Sequence, residues 1–412
     1  MNLFVICNDY PFDIGEPYFE NELIINEKKF DKIYLVIPEY NIEDKTPKYY
    51  LPPNAEIIPL NIKSKLSKSK ALYIALLKAD FYSELFTILF NYKQLPTVSR
   101  LKTLINYYAK SALFIHMFLP KVAGKFKNGD ILYTYWCTEY TYAIAQLKDK
   151  ISAKAITRLH GWDVYYERSA NNYLPFRPTI FKKLNQAYTV SQNGTDYLLN
   201  KTSTKFKNKI RPAFLGTLPT AFIDTPKSTD LHILSLSNIV GVKQLHKIID
   251  ALALINGVHI IWTHIGGGNG FEEFAARVKN TLKDKTNIRY QLLGAKHKTE
   301  VYELLQSSDY HCLVNTSDYE GLPVSFMEAL SFGIPIIAPK VGGIPEIVEH
   351  KINGVLIAQR PTPEQVAFGI KAIAEMTPEA YKTMRVNAYE MWKNKFNAEK
   401  NYTQFAEEII NL

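Results

Sequence analysis

Between residues 231 and 339, five short apolar runs alternate with segments of helical spacing, and that pattern leaves few folds open. The runs are LHILSLS (231–237), HIIWTHIG (259–266), IRYQLLG (288–294), YHCLVN (310–315) and IPIIAP (334–339). Each is followed by a helix-like segment: QLHKIIDALALI, FEEFAARVKNTL, TEVYELLQSS, PVSFMEALSF or PEIVEH. Strands this short and this apolar belong to a parallel sheet buried on both faces, with helices as crossovers. A doubly wound α/β domain is expected.

The first part of the chain opens the same way. LFVIC (3–7), the loop NDYPFDIGEPY, a helical FENELIINEKKF and KIYLVIP (32–38) read as β-loop-α-β. Residues 71–120 read as helical, broken at Pro96 and Pro120; ILYTYW (131–136) and KAITRLHGW (154–162) resume the alternation. Pro212, Gly216, Pro219 and Pro226 make 211–228 the best linker candidate, and the stretch from about residue 362 is helical to the end. This predicts domains at 1–222 and 223–390 and a terminal helix at 391–412.

Composition excludes several classes. With 47% apolar and 22% charged residues, the chain is neither disordered nor collagen-like nor a coiled coil. Cys7, Cys137 and Cys312 are widely separated and lack ligand spacing, against a disulfide framework or a zinc ribbon. The first 27 residues hold six acids and no Lys or Arg, so a signal peptide is not expected. No apolar run approaches the roughly 18 residues of a membrane-spanning helix. A cytoplasmic protein is expected.

Charge is concentrated. Residues 61–127 carry twelve Lys or Arg against Asp80 and Glu84, a net +10 in a chain whose total is +9. The lysines, including the KSKLSKSK run at 63–70, interleave with LYIALL, FYSELFTILFNY and LFIHMFL. No nucleic-acid module accompanies them, so nucleic acid is not expected as partner. A basic, aromatic-rich face suits an anionic membrane surface, which implies peripheral association with the inner face of the plasma membrane.

The most specific segment is DYEGLPVSFMEALSFGIP. Glu320 ends a loop after an apolar strand, and Glu328 lies on the following helix. A helix beginning near Pro323 directs its first N–H groups at the loop mouth, a setting for pyrophosphate. Glu328 is placed to accept from a ribose diol and Glu320 from sugar hydroxyls. Lys243, between a strand and a helix, can neutralise a diphosphate. HIGGGNG (264–270) is a glycine turn at a helix start, weak evidence alone.

Taken together, Glu320, Glu328 and GIPIIAPKVGGIPEIVEHKINGVLI resemble the C-terminal signature of glycosyltransferase family four. SNIVGVK resembles its exopolysaccharide and lipopolysaccharide branch. The resemblance implies the GT-B fold: two Rossmann-like doubly wound domains facing across a cleft, with the C-terminal helices crossing back to the first. It implies a retaining transferase moving a hexose from a UDP- or GDP-linked sugar to a glycan hydroxyl, on a lipid-linked cell-surface polysaccharide intermediate. The proton would leave with the departing phosphate.

The resemblance also assigns residues. Glu320, His160 and Lys243 are the catalytic set. The turn Gly321, Leu322, Pro323 and Val324, with Glu328, surrounds the donor. Asn238 stands where the family usually has a second phosphate-gripping Arg, and Arg158 or Arg168 is the cation expected to offset it. His160 and Asp163 match an HGxD-type motif facing the donor sugar, and Gly15 and Glu16 match an N-terminal glycine turn. No Asp-x-Asp or other metal signature occurs, so metal-independent chemistry and no cofactor beyond the donor are expected. Two other readings are open: a non-catalytic partner- or glycan-binding subunit, which Asn238 favours, and a sugar-nucleotide epimerase.

Overall fold

The computed structural model describes residues 1–12, 16–38, 45–62, 73, 76, 79–91, 97–222, 224, 228–307 and 309–412. Gly15 and Lys63, Lys65, Lys68, Lys70, Lys78 and Lys93 of the basic segment lie outside the described residues. The chain forms two units: Met1–Phe214 with Tyr402–Leu412, and Leu215–Asn401.

The first unit is built on seven parallel strands: β1 (Asn2–Ile6), β2 (Lys32–Ile37), β3 (Ala55–Pro59), β4 (Ile131–Thr134), β5 (Lys154–Leu159), β6 (Gln186–Thr189) and β7 (Ile210–Pro212). Their order is β3-β2-β1-β4-β5-β6-β7. Every residue of β1, β4 and β6 is buried, whereas the edge strand β3 is mostly half-buried. Strand order reverses between β1 and β4, where Val5 pairs with both Leu35 and Tyr133. The loops leaving the carboxyl ends of those two strands diverge there, the usual ligand position in such sheets.

Two features differ from the sequence reading. The helix Val98–Val122 runs through Pro120 instead of breaking at it. Pro120 sits in the last turn, so the bond its missing N–H forgoes to the carbonyl of His116 is near the helix end, and only two helical residues follow it. Arg158 is not available to a phosphate. It lies within β5, fully buried, with Nη1 2.6 Å from Glu22 Oε2 of the Phe19–Asn26 helix. Its guanidinium carbon is 4.1 Å from the Phe405 ring centroid. It is an internal ion pair between the sheet and its covering helices, and this corrects its assignment to the donor site.

The second unit has six parallel strands: β8 (Leu231–Leu236), β9 (Ile260–Ile265), β10 (Ile288–Leu292), β11 (Cys312–Val314), β12 (Ile336–Pro339) and β13 (Gly354–Ile357). The order is β10-β9-β8-β11-β12-β13, reversing between β8 and β11. Leu313 pairs with Leu234 on one side and Ile336 on the other. Five strands were expected; β13 adds the sixth. The first and last residues of this unit are tied together. Thr217 donates its N–H to Phe396 O (3.0 Å), accepts from Ala398 N–H (2.9 Å), and its hydroxyl accepts from Trp392 Nε1 (2.8 Å). These bonds draw the division at 214/215 and 401/402, against the expected 222/223 and 390/391. The end of the chain, from Tyr402, counts with the first unit.

Removing one member of a fully buried ion pair leaves the other charge stranded, at about 3–5 kcal/mol. Arg158→Met should lower unfolding free energy by that amount in urea titrations followed by circular dichroism. Arg158→Met/Glu22→Leu should recover most of the loss. Equal stability of the single and double variants would mean that the pair is not what holds this layer.

Candidate functional site

In the second unit, the loops leaving β8 and β11 meet at the strand-order reversal. Val240–Lys243 forms a short turn, and Gln244 follows in the left-handed region (φ 49°). The loop after β11 grips that turn: Thr316 Oγ1 donates to Lys243 O and Gln244 O, alternatives each at 3.0 Å, and Asp318 N–H donates to Val242 O (2.9 Å). The result is an ion pair of 2.6 Å between Lys243 Nζ and Glu320 Oε1. Glu320 is buried and Lys243 half-buried. Asn315 Nδ2 lies 3.0 Å from Ser317 Oγ and 3.4 Å from Glu320 Oε1.

The next loop braces this one. Gly342 has φ 49°, and a Cβ there would fall 1.8 Å from Glu320 O; Gly343 N–H donates to Gly321 O (2.9 Å). The first glycine of VGGIPE is required by this close approach. Gly321, Leu322 and Pro323 are buried, and the Val324–Ser331 helix starts behind Pro323, which has no side-chain cap to offer. Phe326 N–H donates to Pro323 O (3.2 Å), and the N–H groups of Val324 and Ser325 have no side-chain cap. Glu328, half-buried on that helix, has its carboxyl pushed up to about 7 by burial, against the pull of Lys298. Asn238 is exposed in the loop after β8. The glycine turn serves packing: a Cβ on Gly266 would fall 1.8 Å from Ser237 O, and Ile239 N–H donates to Gly267 O (2.8 Å).

In the first unit, His160 and Asp163 leave the end of β5. Asp163 is fully buried and accepts from three backbone N–H groups: His160 (2.8 Å), Gly161 (3.0 Å) and Cys137 (3.0 Å). It pins the His-Gly-Trp turn to the loop after β4, which makes it a positioning residue for His160 and not a ligand contact; this corrects its donor-binding assignment. His160 Nε2 lies 2.9 Å from Tyr135 O, so Nε2 carries the proton and Nδ1 the lone pair. Burial and the nearby Arg158 depress its pKa to about 3. Arg168 stands beside Gly161, where a Cβ would fall 2.9 Å from its Nη1.

Two further charges are buried here: Glu16, which the sequence places in the N-terminal glycine turn, and Arg177, which it did not single out. Glu16 is buried and accepts from the N–H groups of Asn8, Asp9 and Tyr10 and from Trp136 Nε1 (2.6 Å); burial raises its carboxyl to about 7. Arg177 is buried and donates from Nη2 to Cys137 O (2.7 Å) and Asp163 O (2.9 Å). Asn315, Thr316 and Ser317 were also missed, although a polar triplet between an apolar strand and a helix was a usable signal. Among the described residues, no group of three His, Cys, Asp or Glu side chains is placed to hold a metal ion. Among them, too, no helix is long and apolar enough to cross a membrane.

Known proteins are similar to this chain in sequence and in fold. Residues 220–391 match the family described as Glycosyl transferases group 1. WcaL of Escherichia coli K12, assigned to colanic acid biosynthesis, is 25% identical over 256 residues, 60% of this chain and 62% of its own. The amylovoran biosynthesis glycosyltransferase AmsK of Erwinia amylovora is 26% identical over 233 residues, 54% of each chain. The chain thus spans a little over half the length of these two relatives. Among solved structures, HepE of Anabaena, in complex with UDP and glucose, has a TM-score of 0.67 at 15% identity over the whole of both chains. The apo lipopolysaccharide outer core galactosyltransferase WaaB has a TM-score of 0.68 at 14% identity, covering 100% of this chain and 99% of its own. The fold is GT-B, and the second unit carries the group 1 glycosyltransferase domain, of the family-four type and similar to the exopolysaccharide branch.

The depressed pKa of His160 has a sign. Below about pH 6.5 the unfolded imidazole takes up a proton that the folded ring refuses, so this residue costs stability progressively towards about pH 3. Nitrogen-15 NMR of the His160 ring should show one neutral Nε2–H tautomer throughout pH 5–8. A titration step near 6.5 would contradict the buried bond to Tyr135.

Proposed function

We propose that the chain is a retaining glycosyltransferase of cell-surface polysaccharide assembly, moving a hexose from a nucleotide-diphosphate sugar to a glycan hydroxyl. The observation that carries this reading is the Lys243–Glu320 pair, held at the mouth of the Val324–Ser331 helix by buried Asn315 and Thr316 of the loop after β11. In this reading the diphosphate takes Lys243 and the first-turn N–H groups, which stabilise the charge that develops as the leaving group departs. Glu320, released from its lysine, accepts from hydroxyls of the sugar, and Glu328 from the ribose. The C1–O bond to phosphate breaks while the C1–O bond to the acceptor forms on the same face, and the acceptor proton passes to a phosphate oxygen. The protein supplies the positive charge, so the proposed chemistry is metal-independent.

Release of nucleoside diphosphate from a panel of UDP- and GDP-sugars with glycan acceptors tests the activity, with EDTA expected to leave the rate unchanged. Nucleotide binding with no turnover would favour the non-catalytic subunit. Variants separate the roles. Lys243→Ala should weaken UDP or GDP binding by about 1.5–3 kcal/mol, a lost charge-assisted bond. Glu320→Gln frees Lys243 from its internal partner, so nucleotide affinity should rise by up to about fivefold while kcat falls. Glu328→Gln should mainly raise donor KM, since a ribose contact is equal in ground and transition states. Isothermal titration and initial rates decide. A Glu320→Gln enzyme with normal kcat would remove Glu320 from the reaction.

We further propose that the acceptor is lipid-linked and that the first unit meets it at an anionic, cytoplasmic membrane face. The Ala79–Phe86 helix and Thr87–Asn91 bury Phe81, Glu84 and Ile88 but expose Tyr82, Phe86, Leu89 and Phe90, the last at 61%. The apolar side of this segment is thus only partly spent on the core. Aromatic groups at an interface and lysines near headgroups, about 1 kcal/mol each, suit that surface. Co-sedimentation with anionic vesicles should be strong, weaken with salt, and fall in Phe86→Ser/Phe90→Ser. Equal binding to neutral and anionic vesicles, or none to either, would end this part of the proposal.

A further inference from the structure

Trp162 breaks the burial pattern of its turn. Gly161, Asp163 and Val164 on either side are buried, yet Trp162 keeps 40% of its surface exposed. The ring is nevertheless held. It stacks on Trp136 with centroids 5.3 Å apart and planes 17° from parallel. Trp136 is itself fixed by its indole N–H on Glu16 at 2.6 Å, and its ring lies 4.5 Å from that of His160. Asp163 holds the backbone N–H groups of His160 and Gly161, just before Trp162. Among the described residues no acceptor meets the Trp162 indole N–H.

An exposed indole costs nothing to explain when it is loose. One braced by a second indole, a buried carboxylate and a pinned turn is pre-organised, and rigid aromatic surface binds with little loss of conformational entropy. The setting selects the ligand. A flat, electron-rich ring face suits the C–H face of a pyranose, whose hydrogens carry slight positive charge. At the ring's edge stands an unmet N–H donor, and the His160 ring lies 4.5 Å from the Trp136 ring on which Trp162 stacks. A sugar offers hydroxyls that both accept and donate.

We propose that Trp162 is a stacking platform for a pyranose ring, with the indole N–H donating to one of its hydroxyls. That the ring belongs to the acceptor glycan rests on the transferase reading; the donor hexose has the same chemistry.

The test is saturation-transfer difference NMR, which needs no turnover. Methyl β-D-glucopyranoside, methyl β-D-galactopyranoside and methyl α-D-mannopyranoside are examined without nucleotide, and UDP-glucose separately. At least one glycoside should show strongest saturation on the C–H protons of a single face. Trp162→Ala should weaken it about tenfold, the scale of one aromatic contact, while Trp162→Phe retains most of it. The residue is surface-exposed, so unchanged melting temperatures will verify folding of both variants. Saturation through Trp162 confined to the hexose of UDP-glucose would assign the platform to the donor and overturn the acceptor assignment. Equal saturation in wild type and Trp162→Ala, or none with any of the sugars, overturns the platform itself. Glycoside binding through Trp162 without any nucleoside diphosphate release would uphold the platform and sink the transferase reading.

Discussion

The pairing of β11 with β8 is the contact on which the candidate donor site depends. Seventy-seven positions separate Lys243 from Glu320, and no local structure brings them together. What does is a sheet in which strand order reverses, so that two parallel neighbours send their loops out side by side. The entropy of closing so long a loop is met by apolar burial in the strands and helices, with Ile233, Cys312, Val314 and Ile337 all in one core. Once the strands pair, Thr316 and Asp318 need only short reaches to the Lys243 turn. The site's polar groups refine a geometry that the sheet already imposes. The first unit repeats the device at β1 and β4, whose loops carry Glu16 and Trp136.

Buried charge in this protein has two uses that sequence alone does not separate. Arg158 and Arg177 are both fully buried, and each spends its guanidinium inside the fold, one on Glu22 and one on backbone carbonyls. Asp163 and Glu16 gather backbone N–H groups and so fix loops. Lys243, half-buried, and Glu320, buried beside it, instead pair their charges at a strand-order reversal. A motif names residue types, whereas access depends on which layer a side chain enters. Arg158 looked like a phosphate ligand because it precedes the His-Gly turn, but it still belongs to the strand.

The large apolar strands and the helical end were legible because their patterns are long. The Glu320 and Glu328 segment was legible because residue types, spacing and turn chemistry agreed. The short strands were not: β6 is Gln-Ala-Tyr-Thr and β7 has three residues, too brief to display a period. β3 was hidden by its polar edge position. Pro120 misled because its effect depends on its distance from the helix end, which the side chain does not reveal. Asn315–Ser317 escaped notice since polar loop residues are ordinarily solvated, and here they are buried against a turn from another strand.

Glycine shows how far the site extends beyond the side chains that would touch a ligand. Gly266 lets its loop lie against Ser237, next to Asn238, and Gly342 lets its loop lie against Glu320. Thr316 and Asp318 fasten the β11 loop to the β8 loop between them. Four loops from β8, β9, β11 and β12 are therefore joined edge to edge, three of the joints being backbone contacts at van der Waals limits or hydrogen-bond distance. A methyl group at Gly342 has no side chain to displace, only the carbonyl of Glu320, so strain there must move the carboxylate that pairs with Lys243. A glycine distant from any substrate atom can in this way govern the charge arrangement at the centre, because in this loop layer backbone position and electrostatics are the same variable.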